Sequence, residues 1–205
     1  MAHWTPSNCW QGQTAYIIGG GRSLEAFPFG LLAGKNTIGC NSAFTLGPEV
    51  CRICLFSDFK FFETYHDQLK EFEGLVVTTH AKIVNAKYNW VRTMQRRQVG
   101  LYHDAIGFNG NTGAGALNLA LILGATTVYM LGFDMKLTNG QSNWHALGLD
   151  KPNSAVYDRM MKNFVIVKKD LDNKFPGHRV INVNDDSDLK CFETMSRSEF
   201  ERGLL

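Results

Sequence analysis

The sequence lacks the long apolar run that a membrane-spanning helix requires. Its longest apolar stretch, residues 114–123, is interrupted by Gly115 and Asn118 and is shorter than the roughly 20 residues that cross a bilayer. Residues 1–13 contain no basic segment followed by an apolar one, so they do not have the pattern of a secretory signal peptide. These two absences predict a soluble, cytoplasmic protein.

Charge of one sign and paired cysteines are also scarce. The formal net charge of +2 does not indicate a nucleic-acid or membrane partner. Five cysteines, an odd number, do not suggest a disulfide framework. Cys51 and Cys54 form a CxxC pair, but no second Cys or His pair follows at the spacing of a zinc ribbon. We interpret both as small core residues of a strand, and no other pattern indicates a metal site.

Short β-rich segments alternate with helical ones along the chain. Strands are predicted at residues 14–18, 36–41, 52–56, 74–79, 126–131 and 179–183, and helices at residues 59–72, 111–123, 154–175 and 196–202. This alternation predicts an α/β fold, a single Rossmann-like domain with three layers and a mostly parallel sheet. Residues 82–104 and 136–153 fit less clearly and are interpreted as insertions or lids over a site.

Small or polar residues follow most of the predicted strands. Ligands of open α/β sheets bind outside the carboxyl ends of the strands, so these residues are candidates for a site. They are Gly19, Gly20 and Gly21 with Ser23, Asn41 with Ser42, Ser57 with Asp58, and Gly132 with Asp134. Turns are polar whatever their function, and it is the convergence on one edge that favours a site.

Two backbone segments could bind a phosphate through their N–H groups. The glycine turn at residues 19–21 is neither a P-loop nor a GxGxxG motif, and a tight strand-to-helix turn is the alternative. The second segment is the helix that begins at Asn111, Thr112 and Gly113, where the first turn carries little side-chain bulk. Its N–H groups could face an anion, and close packing against the sheet is the alternative.

Three side chains near the strongest strand are candidates for chemistry. Asp134 could bind a ribose hydroxyl, bind a metal, act as a base or only cap a turn. His145 follows in a polar loop, where a general acid or base could reach a substrate, and Trp144 could stack on a base or a sugar. A basic segment could contact an anionic substrate or nucleic acid, or form a solvated helix face; its residues are Lys82, Lys87, Arg92, Arg96 and Arg97.

Several segments resemble a known family in their order and motifs. They are residues 17–24, 39–42, 112–124 and 128–134. They are similar to bacterial sialyltransferases of the lipooligosaccharide type, and to related proteins grouped with the archaeal hydroxymethylpterin diphosphokinase, many of them encoded by bacteriophages. Residues 144–145 and the helix from Ser154 resemble the phage-type members.

The resemblance implies a metal-independent glycosyltransferase that holds a cytidine nucleotide-sugar at the strand ends. It implies nucleotide and phosphate contacts from Gly20, Gly21, Ser23, Asn41, Ser42, Thr112 and Gly113. In those enzymes, two tyrosines after the Gly-x-Asp strand steady the departing phosphate. Here Lys136 stands at the first of these positions, and the next tyrosine is Tyr157.

Three functions remain open at this point. In the first, a sugar passes from a nucleotide-sugar to an unknown acceptor; Thr112, Gly113 and Lys136 stabilise the leaving phosphate, His145 or Asp134 acts as the base, and no cofactor is needed. The second is an ATP-dependent diphosphokinase acting on a small alcohol, with Mg²⁺ on Asp58 and Asp134. The third is a non-catalytic nucleotide-binding protein. The predicted substrate-binding residues are Ser57, Asp58, Asn111, Lys136 and Trp144.

Overall fold

The computed structural model describes residues 3–86, 88–145, 147 and 153–205. This part of the chain contains ten strands and five α-helices. The strands are β1 (Thr14–Ile18), β2 (Thr37–Cys40), β3 (Ile53–Phe56), β4 (Leu75–Thr78), β5 (Val91–Thr93), β6 (Arg96–Arg97), β7 (Ile106–Gly107), β8 (Thr127–Leu131), β9 (Arg179–Asn182) and β10 (Glu193–Thr194). The helices are α1 (Phe59–Glu71), α2 (Ala81–Ala86), α3 (Thr112–Ile122), α4 (Ser154–Lys174) and α5 (Arg197–Leu204). Lys87 of the predicted basic segment lies outside the described residues, as do residues 146 and 148–152 of the second predicted lid.

Eight of the strands form one sheet, in the order β10-β9-β8-β1-β2-β3-β4-β5. Every pairing in it is parallel, and helices flank the sheet, which confirms the predicted Rossmann-like α/β fold. The chain builds outward from β1 to β5 and then returns to the other side of β1 with β8. The strand order therefore reverses between β1 and β8, the position where open α/β sheets form a ligand crevice.

Helix α3 is the most deeply buried helix segment, since all but one of its 11 residues are buried. Its small residues allow this close approach. A Cβ added to Gly113 would lie 2.4 Å from the Phe133 ring, and one added to Gly115 would lie 3.2 Å from Ile106. The close packing weighed as an alternative for this segment is thus present, and it brings the N-terminus of α3 to the carboxyl edge of the sheet.

Two features of the connections differ from the sequence-based expectation. The chain passes from β1 to β2 and from β2 to β3 through short 3₁₀ turns, with no α-helix at either crossover. In addition, part of residues 82–104, interpreted above as an insertion or lid, is the edge strand β5. Strand β5 has only three residues, too few to show the alternating pattern that identifies a strand.

Both cysteines of the pair lie in the core, as predicted, but only Cys54 belongs to a strand, β3. Cys51 and Cys54 are fully buried, and both are free thiols. Burial raises the pKa of Cys51 to about 12 and that of Cys54 well above its usual value. Thiols so hard to ionise are poor nucleophiles and metal ligands. No helix within the described ranges is long and apolar enough to cross a membrane.

Candidate functional site

A cavity of about 770 Å³ opens along the carboxyl edge of the main sheet. It extends from the ends of β8 and β1, past β2 and β3, to the segments that follow β4 and β5. Its volume lies within the usual range for small-molecule sites. Its position includes the reversal of strand order, so it is the candidate functional site of this fold.

Most of the site residues predicted from the sequence meet in this cavity. Those that line it are Gly20, Gly21, Asn41, Ser42, Ser57, Asp58, Asn111, Thr112, Gly113, Asp134, Lys136 and His145. Ser23 and Trp144 do not line the cavity. Each of these two side chains instead bonds to a segment that forms the cavity wall.

Asp134 joins the end of β8 to the turn after β1. It is 4% exposed, and its carboxylate accepts hydrogen bonds from Ser23 N at 2.8 Å, Ser23 Oγ at 2.5 Å and Asn184 Nδ2 at 2.9 Å. A Cβ added to Gly21 would lie 2.5 Å from the Asp134 Cγ, so glycine is needed there. Both carboxylate oxygens are engaged by protein donors, an arrangement that suits a positioning residue. A role as base stays a prediction.

Trp144 fixes its loop onto the glycine turn. Its backbone N–H donates to Gly20 O at 2.9 Å, and its indole Nε1 donates to Gly19 O at 3.0 Å. The indole ring also packs against Phe29, with ring centroids 4.8 Å apart. The indole is therefore used in holding the wall, and this geometry does not favour the stacking on a ligand that the sequence suggested.

His145 lines the cavity with a defined hydrogen-bonding state. Its Nδ1 accepts a hydrogen bond from the Leu147 backbone N–H at 3.2 Å, and burial lowers the pKa of the imidazole. A neutral imidazole carries one proton, so an accepting Nδ1 places that proton on Nε2. In this geometry His145 presents a hydrogen-bond donor at Nε2 and no lone pair to accept a proton there.

Asn41 combines two unusual features at the end of β2. Its φ of 51° lies in the left-handed region, which asparagine tolerates better than most residues. Its Oδ1 is buried, and no described residue donates a hydrogen bond to it. Leaving a buried acceptor unpaired costs about 1–3 kcal/mol, so a ligand donor at this position would recover stability. The neighbouring Ser42 is buried as well.

The N-terminus of α3 and the glycine turn both present free backbone donors. Asn111 caps the helix by accepting from Ala114 N at 3.0 Å, and its Nδ2 contacts the Met160 sulfur at 3.2 Å. Among the described residues, none accepts a hydrogen bond from the N–H of Thr112, Gly113 or Gly20. These residues line the cavity, where such donors and the helix dipole favour an anion.

Several further polar side chains line the cavity that were not among the predicted site residues; the larger ones are His80, Tyr157, Arg159 and Arg96, the last from the predicted basic segment. His80 and Arg96 follow the carboxyl ends of β4 and β5, so the rule that identified the other strand ends applies to them. Tyr157 and Arg159 belong to α4, and no local sequence signal places that helix beside the sheet edge. Burial and the charge of Asp134 raise the pKa of Tyr157.

The fit to a magnesium ion is poor. Asp58 and Asp134 both line the cavity, but Asp58 caps α1 by accepting from Lys60 N at 2.8 Å, and the oxygens of Asp134 already accept three hydrogen bonds. Within the described residues, no group of three or more His, Cys, Asp or Glu side chains is arranged to hold a metal ion. Lys136, which was predicted to stabilise the leaving phosphate, forms an ion pair with Asp186 at 2.8 Å.

A second cavity, of about 370 Å³, lies beneath the N-terminal segment. Its lining includes Trp4, Trp10 and the first residue of β3, Ile53, which places it at the opposite, amino edge of the sheet. Two backbone hydrogen bonds of 2.8 Å hold the N-terminal segment: Trp4 N donates to Thr93 O at the end of β5, and Trp10 N donates to Leu123 O after α3.

No model of a known protein family matches the chain, and no curated protein matches its sequence.

Proposed function

We propose that the protein is a nucleotide-binding transferase, most simply a metal-independent glycosyltransferase that uses a nucleotide-sugar donor. One observation carries the proposal. The glycine turn after β1 and the N-terminus of α3 line the same cavity, at the reversal of strand order, and both present free N–H groups. That combination is a common way for α/β folds to bind the phosphates of a nucleotide.

The donor phosphate binds the N–H groups of Gly20, Thr112 and Gly113 in this proposal. Tyr157 and Arg159 of α4 line the same cavity and stabilise the negative charge that grows on the phosphate as the sugar departs. Tyr157 is a protonated donor at neutral pH, since its pKa lies above the usual tyrosine value of 10.0. It supplies a phenol to the cavity, as the tyrosines do in the enzymes that the sequence resembles.

The nucleoside part of the donor contacts the end of β2. The buried Oδ1 of Asn41 accepts a hydrogen bond from a ribose hydroxyl or a base amino group, since nothing described in the protein bonds to it. Ser42 adds a hydroxyl beside it. These contacts favour a nucleotide over inorganic phosphate alone.

The acceptor hydroxyl must lose a proton as the sugar is transferred. Of the two predicted bases, His145 is the better candidate, because the oxygens of Asp134 are held by Ser23 and Asn184. To accept a proton at Nε2, His145 must first carry its own proton on Nδ1 and give up the hydrogen bond from Leu147. In the state observed, its Nε2–H serves as a donor to a ligand oxygen.

Thermal unfolding with a ligand panel tests the proposal. The panel contains CMP, CDP, UDP, GDP and ATP with the corresponding nucleotide-sugars, each with and without Mg²⁺. A ligand that binds the native state raises Tm with the logarithm of its concentration over Kd. We expect a Mg²⁺-independent rise with one nucleotide and its sugar conjugate. A rise only with ATP and Mg²⁺ would favour the diphosphokinase alternative, and no rise with any nucleotide would contradict the proposal.

The chain offers a matched pair of variants for this test. Asn41 and Asn139 both have a φ of 51°, so glycine fits the backbone at either position. Of these two residues, only Asn41 lines the cavity. Asn41→Gly should reduce the nucleotide-induced rise in Tm, and Asn139→Gly should leave it unchanged.

A further inference from the structure

The far end of the cavity contains side chains that the proposed donor site does not use. We call Phe59, His80, Arg96 and Phe108 the distal cluster; all four line the cavity. His80 follows β4, which is separated from β1 by three strand spacings in the sheet. At about 4.8 Å for each spacing, the distal cluster lies roughly 14 Å from the glycine turn. The two ends are far enough apart to bind different chemical groups.

Arg96 is a cation without a counter-ion among the described residues. Its guanidinium carbon lies 3.3 Å from the centroid of the Phe108 ring, and partial burial lowers its pKa. A guanidinium stacked on an aromatic face keeps its N–H groups at its edges free for a carboxylate or phosphate. The adjacent Arg97 differs, because it pairs with Asp104 at 2.8 Å.

His80 adds an unsatisfied polar group to the same end. Its ring stacks on Phe59, with centroids 5.3 Å apart and planes 26° apart, and its Nδ1 is buried without a hydrogen-bond partner in the described part of the chain. Burial lowers the pKa of His80, and so do the charges of Arg96 and Lys82; Asp58 acts in the opposite direction. The two cations outweigh the one carboxylate, so the local potential is positive.

We propose that the distal cluster binds the acidic group of the acceptor, a small molecule that carries a carboxylate or a phosphate beside a planar or apolar part. This inference rests on the proposed function, which assigns the glycine turn to the donor. The edge of the Arg96 guanidinium receives the acidic oxygens through charge-assisted hydrogen bonds. The exposed face of Phe108, 42% accessible, and the ring of Phe59 contact the apolar part.

Binding of three small probes tests the inference. Benzoate and phenyl phosphate carry the two acidic groups, and benzamide is the neutral match to benzoate. Each is titrated into the full-length protein while the His80 ring signals are followed by NMR. We expect benzoate or phenyl phosphate to bind at least tenfold more tightly than benzamide and to raise the pKa of His80. The acid that binds more tightly shows whether the site prefers a carboxylate or a phosphate. Equal binding of benzoate and benzamide, with phenyl phosphate no tighter, would overturn the inference.

Two adjacent arginines supply a matched control. Arg96→Gln should weaken the tighter acid at least tenfold, and Arg97→Gln, which removes an equal charge from an exposed ion pair, should weaken it less than twofold. Equal weakening in both variants would show only a general loss of positive charge and would overturn the inference. The comparison of benzoate with benzamide in the wild-type protein needs no variant, so it stands even if Arg96→Gln fails to fold.

These experiments test the donor site and the acceptor site independently. Asn41→Gly should lose nucleotide affinity and keep the affinity for the acidic probe. If the nucleotides bind and the acidic probes do not, the distal cluster has been misassigned and the proposed function stands. If the probes bind and no nucleotide does, the distal anion site stands and the donor site is wrong.

Discussion

Asp134 accepts hydrogen bonds from both the backbone N–H and the hydroxyl of Ser23, at 2.8 and 2.5 Å, and so joins the end of β8 to the turn after β1. A third hydrogen bond, from Asn184 at 2.9 Å, connects the same carboxylate to the segment after β9. These bonds span the position where the strand order reverses. The spacing of the candidate phosphate site therefore depends on a carboxylate that does not itself need to touch the ligand.

Asp134→Asn should destabilise the fold. The amide puts a donor where Ser23 or Asn184 now donates, and it removes the charge that strengthens the remaining bonds. We expect a loss of about 2–4 kcal/mol in the free energy of unfolding, from the cost of unsatisfied buried groups. Urea denaturation measures it. Asp185→Asn, at an exposed position, is the control and should change stability by less than about 0.5 kcal/mol. A free energy of unfolding equal to that of wild type in Asp134→Asn would contradict the positioning role.

Ser23→Ala should show that Ser23 and Asp134 act as one unit. The single variant loses the hydroxyl bond but keeps the backbone bond to Asp134, so we expect a loss of about 1–2 kcal/mol. The Ser23→Ala/Asp134→Asn double variant should lose less than the sum of the two single losses, because both remove the same hydrogen bond. Urea denaturation of the four proteins gives the coupling energy, and strict additivity would argue against the bond.

Asn41→Gly should leave stability nearly unchanged. The side chain makes no hydrogen bond through its buried oxygen, and glycine accepts the left-handed backbone at this position. Removal of the unpaired acceptor offsets the cost of glycine flexibility, so we expect a net change within about 1 kcal/mol. Asn41→Ala should cost a further 1–2 kcal/mol or so, since alanine is strained at positive φ. If the two variants were equally stable by urea denaturation, the backbone argument would be wrong.

Stability should fall as the pH drops below the ordinary histidine pKa of 6.5. The pKa values of His80 and His145 are both lowered in the folded protein, in each case chiefly by burial. The unfolded chain therefore binds protons first, so the contribution of these groups is complete above pH 6.5 and is lost as the pH falls through the lowered values. Urea denaturation at pH 7.5, 6.0 and 5.0 should show a flatter decline for His80→Gln/His145→Gln than for wild type. An equal decline in stability for the double variant and wild type would contradict the lowered pKa values of His80 and His145.

Six of the ten strands (β1 to β4, β8 and β9) and the edge that holds the cavity could be predicted from the sequence, because parallel strands must end together and their polar ends mark that edge. The direction in which each side chain points at this edge could not be predicted. Ser23 and Trp144 were expected to face a ligand, yet both donate hydrogen bonds to the cavity wall. The position of a residue along the chain does not reveal which acceptors lie beside it in the fold. Tyr157 and Arg159 depend on how α4 packs, and no local pattern carries that information.

Backbone amide NMR during a nucleotide titration tests the central claim most directly. The signals of Gly20, Thr112 and Gly113 report the N–H groups assigned to the phosphate. The account predicts that the nucleotides that raise Tm shift these three signals most, without Mg²⁺, while the indole signals of Trp4 and Trp10 at the second cavity stay in place. Shifts centred on those tryptophans, or no shift at the glycine turn and the start of α3, would contradict it.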